Sequence, residues 1–436
     1  MKLRSCPSRL RGSVAIPGSK SHTIRAVAIA SLAEGSSRIE APLDSLDTRA
    51  AVECYRALGA QIRADDPQQW LVDGTGGQVS CPLDVIDVGN SGTTLRVAVS
   101  SAALLPADGG SAVFTGDEQI RRRPLEPLLA SLRQLGASAV STRNNGCAPA
   151  VIGGRLSGGS TSIEAVTSQY LSSLLINCPL ATEPTEIVVT KLNEQPYVQM
   201  TLDWLDRQEI RYTNEDFRRF AVDPCQGYRG FTCRIPADFS SATFFLCAAA
   251  ITDADVEILG LDFSDAQGDK AVVDYLRQMG ADIEVTPTCV RVRGGSLRGV
   301  QLDLNATPDA LPAMAVVGAV AEGTTTLTNV PQARVKETDR IAAMAGELAG
   351  LGVSCTELPD GLVVEHSPIR GGSVHGHDDH RVVMAMAVAG LAAKEPVTVD
   401  TAESASVTFP QFASLMQDLG ADLELIEEHL LEDTSP

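Results

Sequence analysis

Aromatic residues are scarce in this chain, at 4%, and lysine occurs only at positions 2, 20, 191, 270, 336 and 394. A core with so few rings must be packed mostly from Ala, Val and Leu. No stretch reaches the roughly 18 apolar residues that cross a bilayer, and no membrane partner is expected. The best run, Val382 to Ala393, is broken by glycine and followed by Lys394. The start, MKLRSCPSRLRG, lacks the apolar segment of a signal peptide. Ten cysteines include no CxxC pair, and Cys178 and Cys247 lie in apolar runs. Reduced core thiols and a cytoplasmic location are therefore expected. Basic excess is missing too. A formal net charge of −20 argues against nucleic acid as a partner. Any anionic ligand must be drawn in by local cations against that field.

What the chain has instead is repetition. Six polar starts recur about every 70 residues: Lys20-Ser21, Asn90-Ser91-Gly92, Thr167-Ser168-Gln169, Ser240-Ser241, Pro308-Asp309 and Asp379-His380. Each opens an apolar, alanine-rich stretch that reads as a buried helix. The polar residues then sit at helix N-termini, where free N–H groups and the helix dipole favour an anion. A cleft where such ends converge suits a small polyanion.

Each buried helix is followed by a turn, a short strand and a second helix. Five of those second helices end in a glycine stop, in ALGA, QLGA, QMGA, GLGV and DLGA; the third copy reads LDRQEI and has none. Two strands complete a βαβαββ unit. The sixth unit lacks its last strand, whereas RLRGSVAIP at 9–17 resembles the strands 228–236 and 296–304. That N-terminal strand is expected to complete the sixth unit. The expected architecture is α/β, with three units at 19–236 and three at 1–18 plus 237–436. The cleft between them is the expected ligand site.

Several segments carry chemistry. RVKETDR (334–340) is expected to open a helix whose apolar stripe is Ile341, Met344, Leu348 and Leu351. On that reading Glu337 leans toward the buried side, and desolvation holds its proton longer, as a general acid requires. Lys336 and Arg340, four apart, would share a face. In GSKSHTIR (18–25), Ser21 is expected as the N-cap with Lys20 and Arg25 around it, a set suited to carboxylate or phosphate. RRRPLEP (121–127) clusters three arginines before a proline-started helix. HGHDDHR (375–381) invites a metal reading, but it occupies the polar start of unit six, where other units have no ligand residues. No metal site is expected.

These motifs, in order SKSHTIRA, GNSGTTLR, RRRP, TSQY, QPYV, PDALP, RVKETDR and DDHR, resemble the series of the 5-enolpyruvylshikimate-3-phosphate synthase family over nearly the whole chain. The resemblance implies a two-domain inside-out α/β barrel of six βαβαββ repeats. It implies transfer of the enolpyruvyl group of phosphoenolpyruvate to the 5-hydroxyl of shikimate 3-phosphate, with release of phosphate. By matching motif, Lys20, Ser21, Arg25, Thr167, Ser168, Gln169, Tyr197, Asp309, Gln332 and Lys336 would contact shikimate 3-phosphate. Lys20, Gly92, Arg123, Gln169, Arg340, His380 and Arg381 would contact phosphoenolpyruvate. Asp309 would be the base, Glu337 the acid and Lys20 a further catalytic group. One acid and one base suffice, so no cofactor is implied, and a monomer is expected.

Four positions depart from the family pattern. Thr167 keeps the hydroxyl of a usual serine, and Gln332 replaces an asparagine. Glu194 stands where a phosphate-binding serine is usual, so it would repel phosphate unless rotated away or paired with Lys191. Val407, in SVTFP, replaces a lysine that contacts phosphoenolpyruvate. The rival within the fold, an enolpyruvyl transferase acting on UDP-N-acetylglucosamine, would show Lys-Asn in place of Lys20-Ser21 and a reactive cysteine near Arg121–Arg123. A non-catalytic scaffold is opposed by the intact Asp309 and Glu337.

Overall fold

The computed structural model describes residues 1–287 and 289–427; the last part of the expected second domain, 428–436, lies outside the described residues. Among the described residues, six four-stranded sheets surround two groups of helices. Every sheet has the same plan: a leading strand runs parallel to its neighbour, and an antiparallel pair follows. The helices opening at the polar starts are Lys20–Leu32, Gly92–Ala102, Ser168–Asn177, Phe239–Ile251, Leu311–Val320 and His380–Ala392. Nearly all of their residues are buried. A helix that is apolar on all sides must be enclosed by other elements, and small side chains let these ones approach closely. At 13 residues or fewer they are too short to span a membrane, and among the described residues none is long and apolar enough to do so.

Two hydrophobic cores result. One runs from Ile24 to Ile235, and the other joins Leu3–Ile16 to Ala237–Leu423. In the second, Phe244, Phe245, Phe409 and Phe412 meet with ring centroids 5.8–6.2 Å apart. Each fully buried ring contributes about 1.5–3 kcal/mol.

The N-terminal strands depart from expectation. Leu10–Ala15 pairs in parallel with Ala254–Leu259 and so leads the fourth sheet, not the sixth. The strand that completes the sixth sheet is Lys2–Cys6, inserted between Val397–Val399 and Asp422–Ile426. The likeness of 9–17 to other strands was a likeness among leading strands. Thr232–Arg234 leads the first sheet and Gln301–Asp303 the fifth in the same way.

The chain crosses between the cores at two adjacent points. Ser19 N–H donates to Pro236 O at 2.8 Å, and Asp238 N–H donates to Pro17 O at 3.0 Å. Gly18 is required here, because a Cβ would lie 2.4 Å from Ala41 O. The third unit, which lacks a glycine stop, ends its helix Gln195–Arg207 with Glu209 at φ +57° instead.

Candidate active site

Five of the six helix starts converge on one cleft between the two cores; Ser240-Ser241, in the fourth helix Phe239–Ile251, do not line it. It is lined by Lys20, Ser21, Arg25, Gly92, Arg123, Ser168, Gln169, Tyr197, Asp309, Lys336, Glu337, Arg340, His380 and Arg381, with Asp47, Thr93 and Glu194 added. Thr167 and Gln332 line a small adjoining cavity that shares Arg123, Gln169 and Lys336 with it. Val407 ends the short helix Ala402–Val407 and does not line the cleft. Lining cations outnumber lining carboxylates, so the cleft is locally positive in an acidic protein.

The helix ends are set by their caps. Ser19, not Ser21, caps the first helix; its Oγ accepts from His22 N–H, which frees Ser21 and Lys20 to face the cleft. Asp379 caps the last helix by accepting from Arg381 N–H at 2.9 Å. Asp339 caps Arg340–Gly350, so Glu337 precedes that helix and is not on its stripe. The expected shared helical face of Lys336 and Arg340 fails for the same reason. They converge from a turn instead, both approaching Asp309 Oδ1, at 3.9 and 2.7 Å.

Arg340 is the centre of the site. Its guanidinium, 1% exposed, bonds Asp379 at 2.8 Å, Asp309 at 2.7 Å and Glu337 at 2.5 Å. Asp309 and Glu337 are thereby fixed on neighbouring amino groups of one rigid fork. Arg123, from the first core, reaches the other oxygen of Glu337 at 2.7 Å, and Arg381 reaches Asp309 at 3.2 Å. Of its arginine cluster, Arg123 faces the cleft while Arg122 lies near Glu118.

Burial pushes the Glu337 carboxyl up, but Arg123 and Arg340 outweigh it and hold the group well below the usual carboxylate range. The expected raised affinity for a proton is therefore absent in this state, because two guanidiniums neutralise the charge. Asp309 is also held low; burial is outweighed by Arg381, Lys336 and Arg340. Burial, helped by Lys20 and Arg381, keeps His380 neutral, and its Nε2 is buried without a hydrogen-bond partner among the described residues.

Arg25 has a different environment. It bonds Thr201 Oγ1 at 2.9 Å, Ser21 O at 3.0 Å and Tyr197 O at 2.9 Å, with no carboxylate among these partners. Burial pushes it down to about 10, leaving a charged guanidinium suited to an incoming carboxylate. Lys20 pairs with Asp47 at 3.0 Å. Glu194 is neither rotated away nor paired with Lys191; it takes Lys336 at 2.5 Å.

Sequence reading missed four supporting groups. Arg96 donates to Gln169 Oε1 at 2.6 Å, and its place one turn after Gly92 in GNSGTTLR was a usable signal. Asp47, Asp379 as a partner of Arg340, and Asp269 carried none. Asp269 accepts from Tyr197 Oη at 2.6 Å, and burial with Asp309 pushes its carboxyl up to about 7. The histidines of HGHDDHR diverge: His375 pairs with Asp400, His377 with Glu347, and His380 enters the cleft. Among the described residues, no group of three or more His, Cys, Asp or Glu is arranged to hold a metal ion.

The profile of the family described as EPSP synthase (3-phosphoshikimate 1-carboxyvinyltransferase) matches residues 5–416. The chain belongs to the EPSP synthase family. The 3-phosphoshikimate 1-carboxyvinyltransferase of Acetivibrio thermocellus is 53% identical, covering 98% of this chain and 100% of that protein. The namesake from Ruminiclostridium cellulolyticum is 48% identical over the same shares. Among solved structures, an EPSP synthase from Acinetobacter baumannii superposes with a TM-score of 0.81 at 26% identity, covering 97% of this chain and all of that one. Family membership is thus carried by the whole chain and not by one half of the cleft.

Proposed function

We propose that this chain transfers the enolpyruvyl group of phosphoenolpyruvate to the 5-hydroxyl of shikimate 3-phosphate, releasing phosphate. The observation that carries the reading is the single Arg340 fork holding Asp309 and Glu337 among Lys20, Arg123 and Arg381. The halves 19–236 and 1–18 plus 237–436 are read as two three-repeat domains of an inside-out α/β barrel. Each domain supplies part of the site, and the protein acts as a cytoplasmic monomer.

On this reading Arg25 and Ser21 take the acceptor carboxylate. Thr167, Ser168, Gln169, Gln332 and Lys336 take its phosphate side, and Tyr197 lies against its ring. Phosphoenolpyruvate binds Lys20, Gly92, Gln169, Arg123, Arg340, His380 and Arg381. Its anionic groups compete with protein carboxylates for the same guanidiniums. Once Arg123 and Arg340 turn to substrate, burial dominates at Glu337 and its proton affinity rises. Glu337 then protonates the methylene carbon, cationic character builds at C2, and the 5-oxygen attacks as Asp309 accepts its proton. The ketal collapses when the C2–O bond to phosphate breaks and a methyl proton returns to the protein. Fixed cations cancel the charge that opposes joining two polyanions.

The test is phosphate release from phosphoenolpyruvate with each acceptor in turn. Release with shikimate 3-phosphate and none with UDP-N-acetylglucosamine is expected. The opposite pattern would establish the rival transferase.

A further inference from the structure

Glu194 differs from the other acids of the cleft in what surrounds it. It is 2% exposed, and its backbone is held at φ +59°, a left-handed conformation uncommon for a residue with a Cβ. From that position its Oε2 accepts from Ser168 N–H at 3.1 Å, Ser168 Oγ at 2.8 Å and Thr167 Oγ1 at 3.2 Å. Its Oε1 lies 2.5 Å from Lys336 Nζ, which comes from the other core. A backbone N–H at the start of a buried helix, two hydroxyls and an ammonium form an anion cradle. The cradle already holds an anion, and the anion is part of the chain.

We propose that Glu194 is a resident substitute for the acceptor's phosphate. In the empty enzyme it occupies the phosphate cradle and ties the two halves together through Lys336. The acceptor binds by exchange: its phosphate takes Thr167, Ser168 and Lys336 while the Glu194 carboxylate swings out. Glu194 therefore sets the acceptor's affinity, because two anions cannot share these donors. This inference rests on the assignment of that cradle to the acceptor's phosphate.

Two variants test it. Glu194→Gln keeps the shape and removes the charge; Glu194→Ser removes the competing group altogether, and circular dichroism melts confirm that each is folded. Calorimetric titration with shikimate 3-phosphate, and separately with inorganic phosphate, is the readout, alongside steady-state KM for both substrates. Shikimate 3-phosphate should bind about tenfold more tightly to either variant, the scale of one hydrogen bond to a charged group. KM for phosphoenolpyruvate should move much less. Unchanged or weaker acceptor binding in a folded variant overturns the proposal. A wild-type protein that releases no phosphate, yet whose acceptor binding tightens in Glu194→Gln, would instead overturn the functional reading and leave this inference standing.

Discussion

Glu337 shows how two guanidiniums can hold a buried carboxyl in its charged form. Its burial favours the neutral acid, yet Arg123 and Arg340 keep it ionised; on the proposed mechanism, substrate competes for both guanidiniums. Glu337→Gln keeps the shape and loses the titrating proton, so turnover should fall by about two to four orders of magnitude. Deuterium entry into the phosphoenolpyruvate methylene group in heavy water should fall with it; exchange at the wild-type rate would reassign the proton to Lys20. Asp269 makes a prediction about pH. It faces Tyr197, Asp309, Arg381 and Asp238, and its carboxyl is raised from 3.8 to about 7. The folded protein therefore retains a proton that the unfolded chain loses at lower pH. The associated stability is full below about pH 4 and is lost as pH rises toward 7. Urea unfolding from pH 4 to 8 should show Asp269→Asn gaining on the wild type across that window, with a constant difference above it. Parallel curves throughout would contradict the assignment.

Among elements, the helix N-termini do most to build the cleft, and five of the six polar starts in the sequence announced them; Ser240-Ser241 opens a buried helix that does not reach it. Boundaries were less legible. Asp339 and Ser19 moved two helix starts by a few residues, because a cap is decided by which side chain can reach a free N–H, and several polar neighbours qualified. At Gly92 a side chain would compete for space with two guanidiniums. A Cβ there would lie 2.6 Å from Arg123 Nη1 and 2.7 Å from Arg96 Nη1. Gly92→Ala should therefore displace Arg123 and weaken phosphoenolpyruvate. Glyphosate, a phosphoenolpyruvate mimic in this family, should lose more, with its inhibition constant rising further than the substrate's KM. Equal changes would argue against this placement of Gly92.

At the scale of the molecule, a discontinuous second half was expected from the likeness of 9–17 to other strands, and the recurrence of the polar starts was readable from spacing. The identity of the strand completing the sixth sheet was not. Strand likeness records a position within the repeat and says nothing about which neighbouring edge the strand will join, so Leu10–Ala15 and Lys2–Cys6 were confused. Glu194 was legible as an oddity, but its partner was not, since Lys336 lies far away in sequence and comes from the other core. The topology has a consequence for truncation. Lys2–Cys6 is an interior strand, so deleting residues 1–8 should unfold the second core while the first persists. Limited proteolysis should then yield a resistant fragment near 19–236. Loss of both cores together would mean that they are one cooperative unit.

The central claim is that the cleft joins C2 of phosphoenolpyruvate to the 5-oxygen of shikimate 3-phosphate through a ketal. Rapid quenching of enzyme in excess over phosphoenolpyruvate labelled with carbon-13 at C2, followed by NMR, tests it most directly. The account predicts a transient resonance of a saturated carbon bearing two oxygens, converting to an enol ether carried by shikimate 3-phosphate as phosphate appears. Label passing to pyruvate, or to product without the saturated intermediate at any quench time, would contradict it.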